Sequence, residues 1–177
     1  SAHALLQRRR VEVVATTDDP ADSLEHHKAF QAETGQEFQM VPTFRPDTGM
    51  NIRNSKALKE WLNALSRHAG LEIRSFSDLL EALEKRHDDF HERGCRASDH
   101  GVEEPYSDPF TLKEVERTFK KAIEDKHITE TEERAYKSAF LYFCGLMNAE
   151  KGWVYQLHIG SIRNNNTPLY KKLGPDS

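Results

Sequence analysis

The sequence predicts an α/β protein in which about four parallel strands alternate with helices. Three observations lead there. Four short apolar runs occur, over 11–15, 40–44, 95–97 and 153–159. Each opens at its C-terminal end onto polar residues: Thr16, Thr17, Asp18 and Asp19; Arg45 and Asp47; Ser98, Asp99 and His100; and Arg163 with Asn164, Asn165 and Asn166. Segments of helical periodicity separate the runs. Strands of parallel βα units gather functional groups at their C-terminal edge, so the layout points to a site on one rim.

Taken in order, residues 11–16 are rich in β-branched side chains and read as the first strand. Asp19 then resembles an N-cap with Pro20 at the first helical position, which predicts a helix to about Phe30. Gly35 breaks the chain before a second strand over 38–44. From Lys56 to about His68, Leu58, Trp61, Leu62 and Leu65 recur at helical spacing. The next helix starts at a Ser75–Asp78 capping box, carries Phe76, Leu79, Leu80, Leu83 and Phe90 inward, and stops at Gly94. A third strand covers 95–98. Two long helices follow Pro109 and begin at Thr111–Glu114 and Thr129–Glu132 boxes; the second is expected to bury Ala135, Ala139, Tyr142, Phe143 and Leu146. Gly152 closes it ahead of the fourth strand.

At 177 residues the chain reads as a single domain, 1–177, with a helical insertion over 105–152. Its 25 basic and 29 acidic residues leave a net charge of −4, which favours neither nucleic acid nor an anionic membrane as partner. No stretch is long and apolar enough to span a bilayer. Cys95 and Cys144 lack metal spacing and read as free thiols of a reducing cytoplasm. Ser1-Ala2 at one end, and the turn signal of Gly174 and Pro175 at the other, read as the ends of a piece cut from a longer protein.

Asp18 and Asp19 offer paired carboxylates for acid–base work, set against a helix cap for Asp19 and a turn for Asp18. Arg45, fixed ahead of Pro46, suits bidentate binding of a carboxylate, set against a structural ion pair with Asp47. His87 and His91 mimic a zinc-protease pattern, but Asp88 replaces its glutamate and His87 continues an apolar stripe, so the pair reads as structural. One of Asp99 and His100 is expected to face a site, because neighbours on a strand point to opposite faces. His158 shares a face with Gln156 and Gly160, leaving Leu157 and Ile159 to pack on helices. Glycine-rich phosphate loops and nucleophile elbows are absent. A small, polar, anionic substrate fits this set.

Five segments in order resemble the uronate isomerase (glucuronate isomerase) family of the amidohydrolase superfamily: Thr16-Thr17-Asp18-Asp19-Pro20 with His26-His27; Pro42-Thr43-Phe44-Arg45-Pro46-Asp47; Gly94-Cys95 with Ser98-Asp99-His100; Gln156-Leu157-His158-Ile159-Gly160 with Arg163-Asn164-Asn165-Asn166; and Gly174-Pro175-Asp176. The resemblance implies part of a (β/α)8 TIM barrel, its third to sixth strands. It further implies isomerisation of D-glucuronate to D-fructuronate and D-galacturonate to D-tagaturonate, with a divalent metal, usually zinc, at the barrel mouth of the full-length parent. Arg45 and Arg163 become candidates for binding the substrate, together with His158, His100 and Asp18. The family's first-strand His-x-His motif and last-strand aspartate are missing. No residue here is therefore assigned a catalytic or metal-ligand role, and the isolated chain is expected to bind no metal and to be inactive. Open barrel edges predict a homo-oligomer. The alternatives are a metal-dependent hydrolase of the same superfamily and a non-catalytic module that binds small molecules.

Overall fold

The structure is a computed structural model and describes residues 2–33, 35, 37–160 and 165–174. Its elements are α1 (Ala2–Arg8), β1 (Val13–Asp18), α2 (Glu25–Ala32), β2 (Gln39–Phe44), a 3-10 turn (Asp47–Met50), α3 (Ser55–Ala69), α4 (Phe76–Glu92), β3 (Ala97–Val102), α5 (Leu112–Ile123), α6 (Glu130–Lys151), β4 (Val154–Ile159) and α7 (Thr167–Leu173). The four strands form one sheet in the order β1-β2-β3-β4, and every pairing is parallel. Each crossover is helical, as parallel neighbours require. The expected βα layout is therefore present, with all four C-terminal strand ends on one edge.

Register and alternation divide the sheet into two unlike faces. Asp18, Phe44, Ser98 and Tyr155 lie side by side on one face. Helices cover it: Phe44 meets His87 and Phe90 edge-on, and Tyr155 donates its hydroxyl to the Leu141 carbonyl of α6 at 2.8 Å. On the other face Val13, Ala15 and Thr17 of β1 and Gln156 and His158 of β4 are exposed. The core consequently sits between the sheet and α3, α4, α5 and α6, around Leu58, Leu65, Phe76, Leu79, Leu83, Phe90, Phe119, Tyr136 and Phe140.

Local signals explain most boundaries. The Ser75, Thr111 and Thr129 hydroxyls each accept from a backbone N–H three residues on, and the Asp78, Glu114 and Glu132 side chains answer in complete capping boxes. Gly152 closes α6 at φ 66°, a conformation costly for a residue with a Cβ.

Four expectations need correction. β1 begins at Val13 and runs through Asp18, because its first rung pairs Val13 with Gln39. β3 spans Ala97–Val102 in place of 95–98: Cys95 N–H still bonds back to Phe90 O, finishing the end of α4, and buried partners draw the polar Ser98, Asp99 and His100 into the strand. Asp19-Pro20 opens a turn and no helix, since the Asp19 carboxylate is occupied by Trp61 Nε1 at 2.6 Å, Ala21 N–H at 2.8 Å and Thr48 Oγ1 at 3.0 Å. α6 buries Tyr136, Ala139, Phe140, Leu141, Cys144 and Asn148, whereas Tyr142 and Leu146 are exposed. Apolar residues surround that helix, so periodicity alone did not choose its inner side. Within the expected insertion, α6 is the crossover helix lying on β3 and β4, while α5 packs on α3, α4 and α6.

Candidate functional site at the C-terminal rim

Arg45 follows β2 directly, and its backbone N–H extends the β1–β2 ladder by bonding Asp18 O at 2.9 Å. Its guanidinium is held twice, through Nε to Asp47 Oδ2 at 3.0 Å and through Nη1 to Asp99 Oδ2 at 3.1 Å. The Arg45–Asp47 ion pair considered from the sequence is thus present, and Nη2 is the guanidinium nitrogen that neither carboxylate engages. A bidentate grip pairs Nη2 with Nε or with Nη1, and both of those already serve Asp47 or Asp99. Gly101 forms the floor beneath Nη2: a Cβ there would stand 2.7 Å from that nitrogen. The need for glycine is one of space.

The turn after β2 aims Asp47. Gly49 lets that turn press against Phe140 and Trp61, where a Cβ would approach to 2.8–2.9 Å, and Tyr136 donates its hydroxyl to Gly49 O at 3.0 Å. Asp47 Oδ2 also accepts from Gly101 N–H at 2.8 Å, and Oδ1 lies 3.4 Å from His100 Nδ1. Burial alone would raise this carboxyl, but His100, the Gly101 N–H and Arg45 outweigh it and hold Asp47 below its ordinary range. Asp99 stands on the open face, buried at 6% exposure, and its Oδ1 lies 2.6 Å from His158 Nδ1. The other nitrogen of His158 faces the Gln156 amide at 3.0 Å, and its side chain is half exposed.

The structure therefore brings Arg45 and His158 together on the open face through Asp99. It places His100 and Asp18 differently. His100 is fully buried on the helix-covered face, against Ser98 Oγ at 2.9 Å and the edge of Tyr155, and reaches the rim only through Asp47. Asp18 shares that covered face with Thr16, whose hydroxyl donates to it at 2.6 Å, and with His27 at 3.6 Å under α2. Asp18 and Asp19 do not form a shared acid–base pair: Asp19 turns to Trp61, Ala21 and Thr48, and burial raises its pKa despite them. Arg163 and Asn164 lie outside the described residues; Asn166 caps α7 by accepting Leu169 N–H at 3.2 Å.

Beside β4 the pattern departs again from expectation. Leu157 and Ile159 are exposed and pack under no helix, because β4 is an edge strand. Sequence reasoning also missed Asn148, an amide in the last turn of α6 that is 2% exposed, and the buried guanidinium of Arg86, which donates to Pro20 O and Asp22 O at 2.8 Å each and pins the turn after β1. Neither carries a motif; Arg86 is one charged residue among many on α4. His87 is structural, as its place on the apolar stripe implied. Burial drives its pKa down to about 4, partly opposed by Asn148.

As a test for the implied divalent metal, no three His, Cys, Asp or Glu side chains among the described residues gather round one point. Asp47 and Asp99 are already engaged by Arg45, and the donor set does not fit a resident metal.

A four-stranded parallel sheet with helices on one face, an open opposite face and a polar rim has the layout of a section of an α/β barrel of the TIM type. Within that class the chain belongs to the glucuronate isomerase family, whose model matches residues 1–177. It is 46% identical to the uronate isomerase of Bacteroides thetaiotaomicron over all 177 residues, which make up 38% of that relative. Among solved structures it is similar to the uronate isomerase of Thermotoga maritima (TM-score 0.89, 37% identity, 99% of this chain and 38% of that one). It is also similar to the glucuronate isomerase of Caulobacter crescentus (TM-score 0.86, 27% identity, 98% of this chain and 36% of that one). The chain thus spans well under half the length of the relatives it matches.

Proposed function

We propose that this chain supplies part of the substrate wall of a uronate isomerase that interconverts D-glucuronate with D-fructuronate and D-galacturonate with D-tagaturonate. The observation that carries this reading is Arg45, held by two carboxylates through Nε and Nη1 so that Nη2, engaged by neither, lies over Gly101 beside the half-exposed His158. Family membership over the whole chain supports it.

Moving a proton between C2 and C1 through an enediol requires the sugar acid to be held still while its oxygens change charge. Arg45 Nη2 donates to one ligand oxygen. With the Arg45, Asp47 and Asp99 charges summing to −1, the cluster suits a hydroxyl or carbonyl oxygen better than a bare carboxylate. The carboxylate then falls to Arg163 in this reading. His158, anchored on Asp99, contacts a neighbouring hydroxyl. Asp18 and His100 support the rim from behind the sheet. A bound divalent metal would polarise the substrate carbonyl, and its ligands would come from the part of the relatives this chain does not match.

The four strands correspond in this reading to the third to sixth of eight. The open edges of β1 and β4 favour a homo-oligomer. The buried free thiols of Cys95 and Cys144 suit a cytoplasmic setting. No described helix is long and apolar enough to cross a membrane.

Titration of the 15N-labelled chain with D-glucuronate tests the proposal. The Arg45 Nε and His158 ring signals should move, while the neutral sugar alcohol D-glucitol leaves them in place, and a coupled assay should show no turnover. Unmoved signals at a large excess of glucuronate would sink the binding role; metal-dependent turnover would sink the claim that the chain alone is inactive.

A further inference from the structure

Behind the rim, five side chains link the helix layer to Arg45. His87 Nε2 lies 2.9 Å from Asn148 Oδ1, and Asn148 Nδ2 donates to Ser98 Oγ at 2.6 Å. Ser98 Oγ is 2.9 Å from His100 Nε2, and His100 Nδ1 faces Asp47 Oδ1 at 3.4 Å. His87, Asn148, Ser98 and His100 are all at least 98% buried, and none of them touches the open face. Asp47 Oδ1 and His100 Nδ1 are buried, and neither has a hydrogen-bond partner among the described residues. At 3.4 Å they form an ion-pair approach without hydrogen-bond geometry, and each faces the other.

The donor inventory gives the chain one direction. Asn148 Oδ1 can only accept, so His87 donates through Nε2 and leaves a bare lone pair at Nδ1, a cheaper orphan than a buried N–H. Ser98 Oγ accepts from Asn148 and has one proton left, which goes to His100 Nε2. His100 then carries its own proton on Nδ1 and points it at Asp47. Stacking of His87 on Trp153, with ring centroids 3.7 Å apart, and the Tyr155 edge against His100 fix the planes of the two rings, and the hydrogen bonds choose the nitrogen each presents.

We propose that this one-way chain of donors makes Asn148 and Ser98 positioning residues for Arg45. Ser98 donates to His100 Nε2 and, together with Asp47 facing Nδ1, keeps the His100 proton on Nδ1; that proton points at one oxygen of Asp47, and the other oxygen orients the Arg45 guanidinium. The catalytic relevance rests on Arg45 lining the substrate site, as proposed above; the orientation itself does not.

Nitrogen-15 spectra of the sugar-free chain test the orientation alone, whereas the glucuronate titration bears on the substrate reading. In the unaltered chain His100 should show a protonated Nδ1 and an unprotonated, hydrogen-bonded Nε2. Ser98→Ala should keep that tautomer and move Nε2 to the shift of a free lone pair. Asn148→Asp removes the donor and adds a buried acceptor that captures the Ser98 proton, so Nε2 must donate and both His100 nitrogens become protonated. The imidazolium then competes for Asp47, and hydrogen exchange of Arg45 Nε–H should quicken at least tenfold. Leu65→Ala, buried on α3, which supplies no member of this chain of donors, is the control for lost stability and should quicken that exchange much less. A His100 protonated on Nε2 with Nδ1 bare would overturn the proposal. So would a Leu65→Ala effect on Arg45 equal to that of Asn148→Asp. The unaltered chain and Ser98→Ala still decide the polarity if Asn148→Asp fails to fold.

Discussion

Asp18 ends β1, and Asp99, the third residue of β3, stands one residue beyond the level of that end; both contact a histidine, yet they have opposite surroundings. Asp18 is closed beneath α2 with Thr16 and His27, whose side chain is 6% exposed. Asp99 lies on the open face and joins Arg45 to His158, whose side chain is 51% exposed. The difference is one of strand parity: Asp18 is in line with Phe44 and Ser98, while Asp99 falls one residue out of phase with them. A one-residue step moves a side chain from core to site. Position at a strand end is therefore insufficient to nominate a functional residue; the face it occupies decides.

If the covered face carries stability and the open face carries binding, the largest contrast is between Phe44 and Thr43. Phe44 is 1% exposed and meets His87, Phe90 and Trp153 edge-on. Phe44→Ala should cost about 3–5 kcal/mol by transfer and cavity terms, while Thr43→Ala should cost under about 1 kcal/mol. Urea unfolding monitored by tryptophan fluorescence measures both; equal losses would erase the distinction between the faces.

The second effect depends on pH and belongs to His87, which the apolar stripe of α4 buries with its pKa near 4. Between about 6.5 and 4 the unfolded chain binds a proton that the folded chain refuses, so stability rises with pH across that window. The full contribution is present above about 6.5, and about 3 kcal/mol is lost as the pH falls through the window to about 4. His87→Gln should flatten this slope in urea midpoints taken at a series of pH values. A variant that keeps the slope would assign it to another group.

Much of the architecture was legible because local signals agreed with the global fold. The capping boxes at Ser75, Thr111 and Thr129, and the glycine ends at Gly94 and Gly152, marked helices, and the helical segments between apolar runs implied parallel pairing. The sequence was less informative where tertiary contacts chose among equivalent options. Tyr142 and Leu146 are as apolar as Phe140 and Leu141, and only packing on the sheet decides which turn inward. Arg45 and His158 could be nominated from their places after β2 and in β4. The Asn148–Ser98–His100 link could not, since Asn148 lies 50 residues from Ser98 and belongs to no motif. Asp19 beside Pro20 looked like a helix cap because the demand for its carboxylate comes from Trp61, 42 residues away.

The smallest expected effects also divide the two aspartates most cleanly. His27→Gln on α2 strips a partner from the part-buried Thr16 and Asp18, and leaving such polar groups unsatisfied costs about 1–3 kcal/mol. His158→Gln on the open face removes a half-exposed ion-pair contact, worth under about 1 kcal/mol because solvent screens it. Stability alone would rank His27 as the more important histidine. Glucuronate affinity should reverse the ranking, weakened by His158→Gln and indifferent to His27→Gln wherever the chain remains folded. Thermal unfolding and the ligand titration, run on the same two variants, measure both orders. Two histidines that rank the same way in both experiments would mean that strand parity does not separate support from site in this fold.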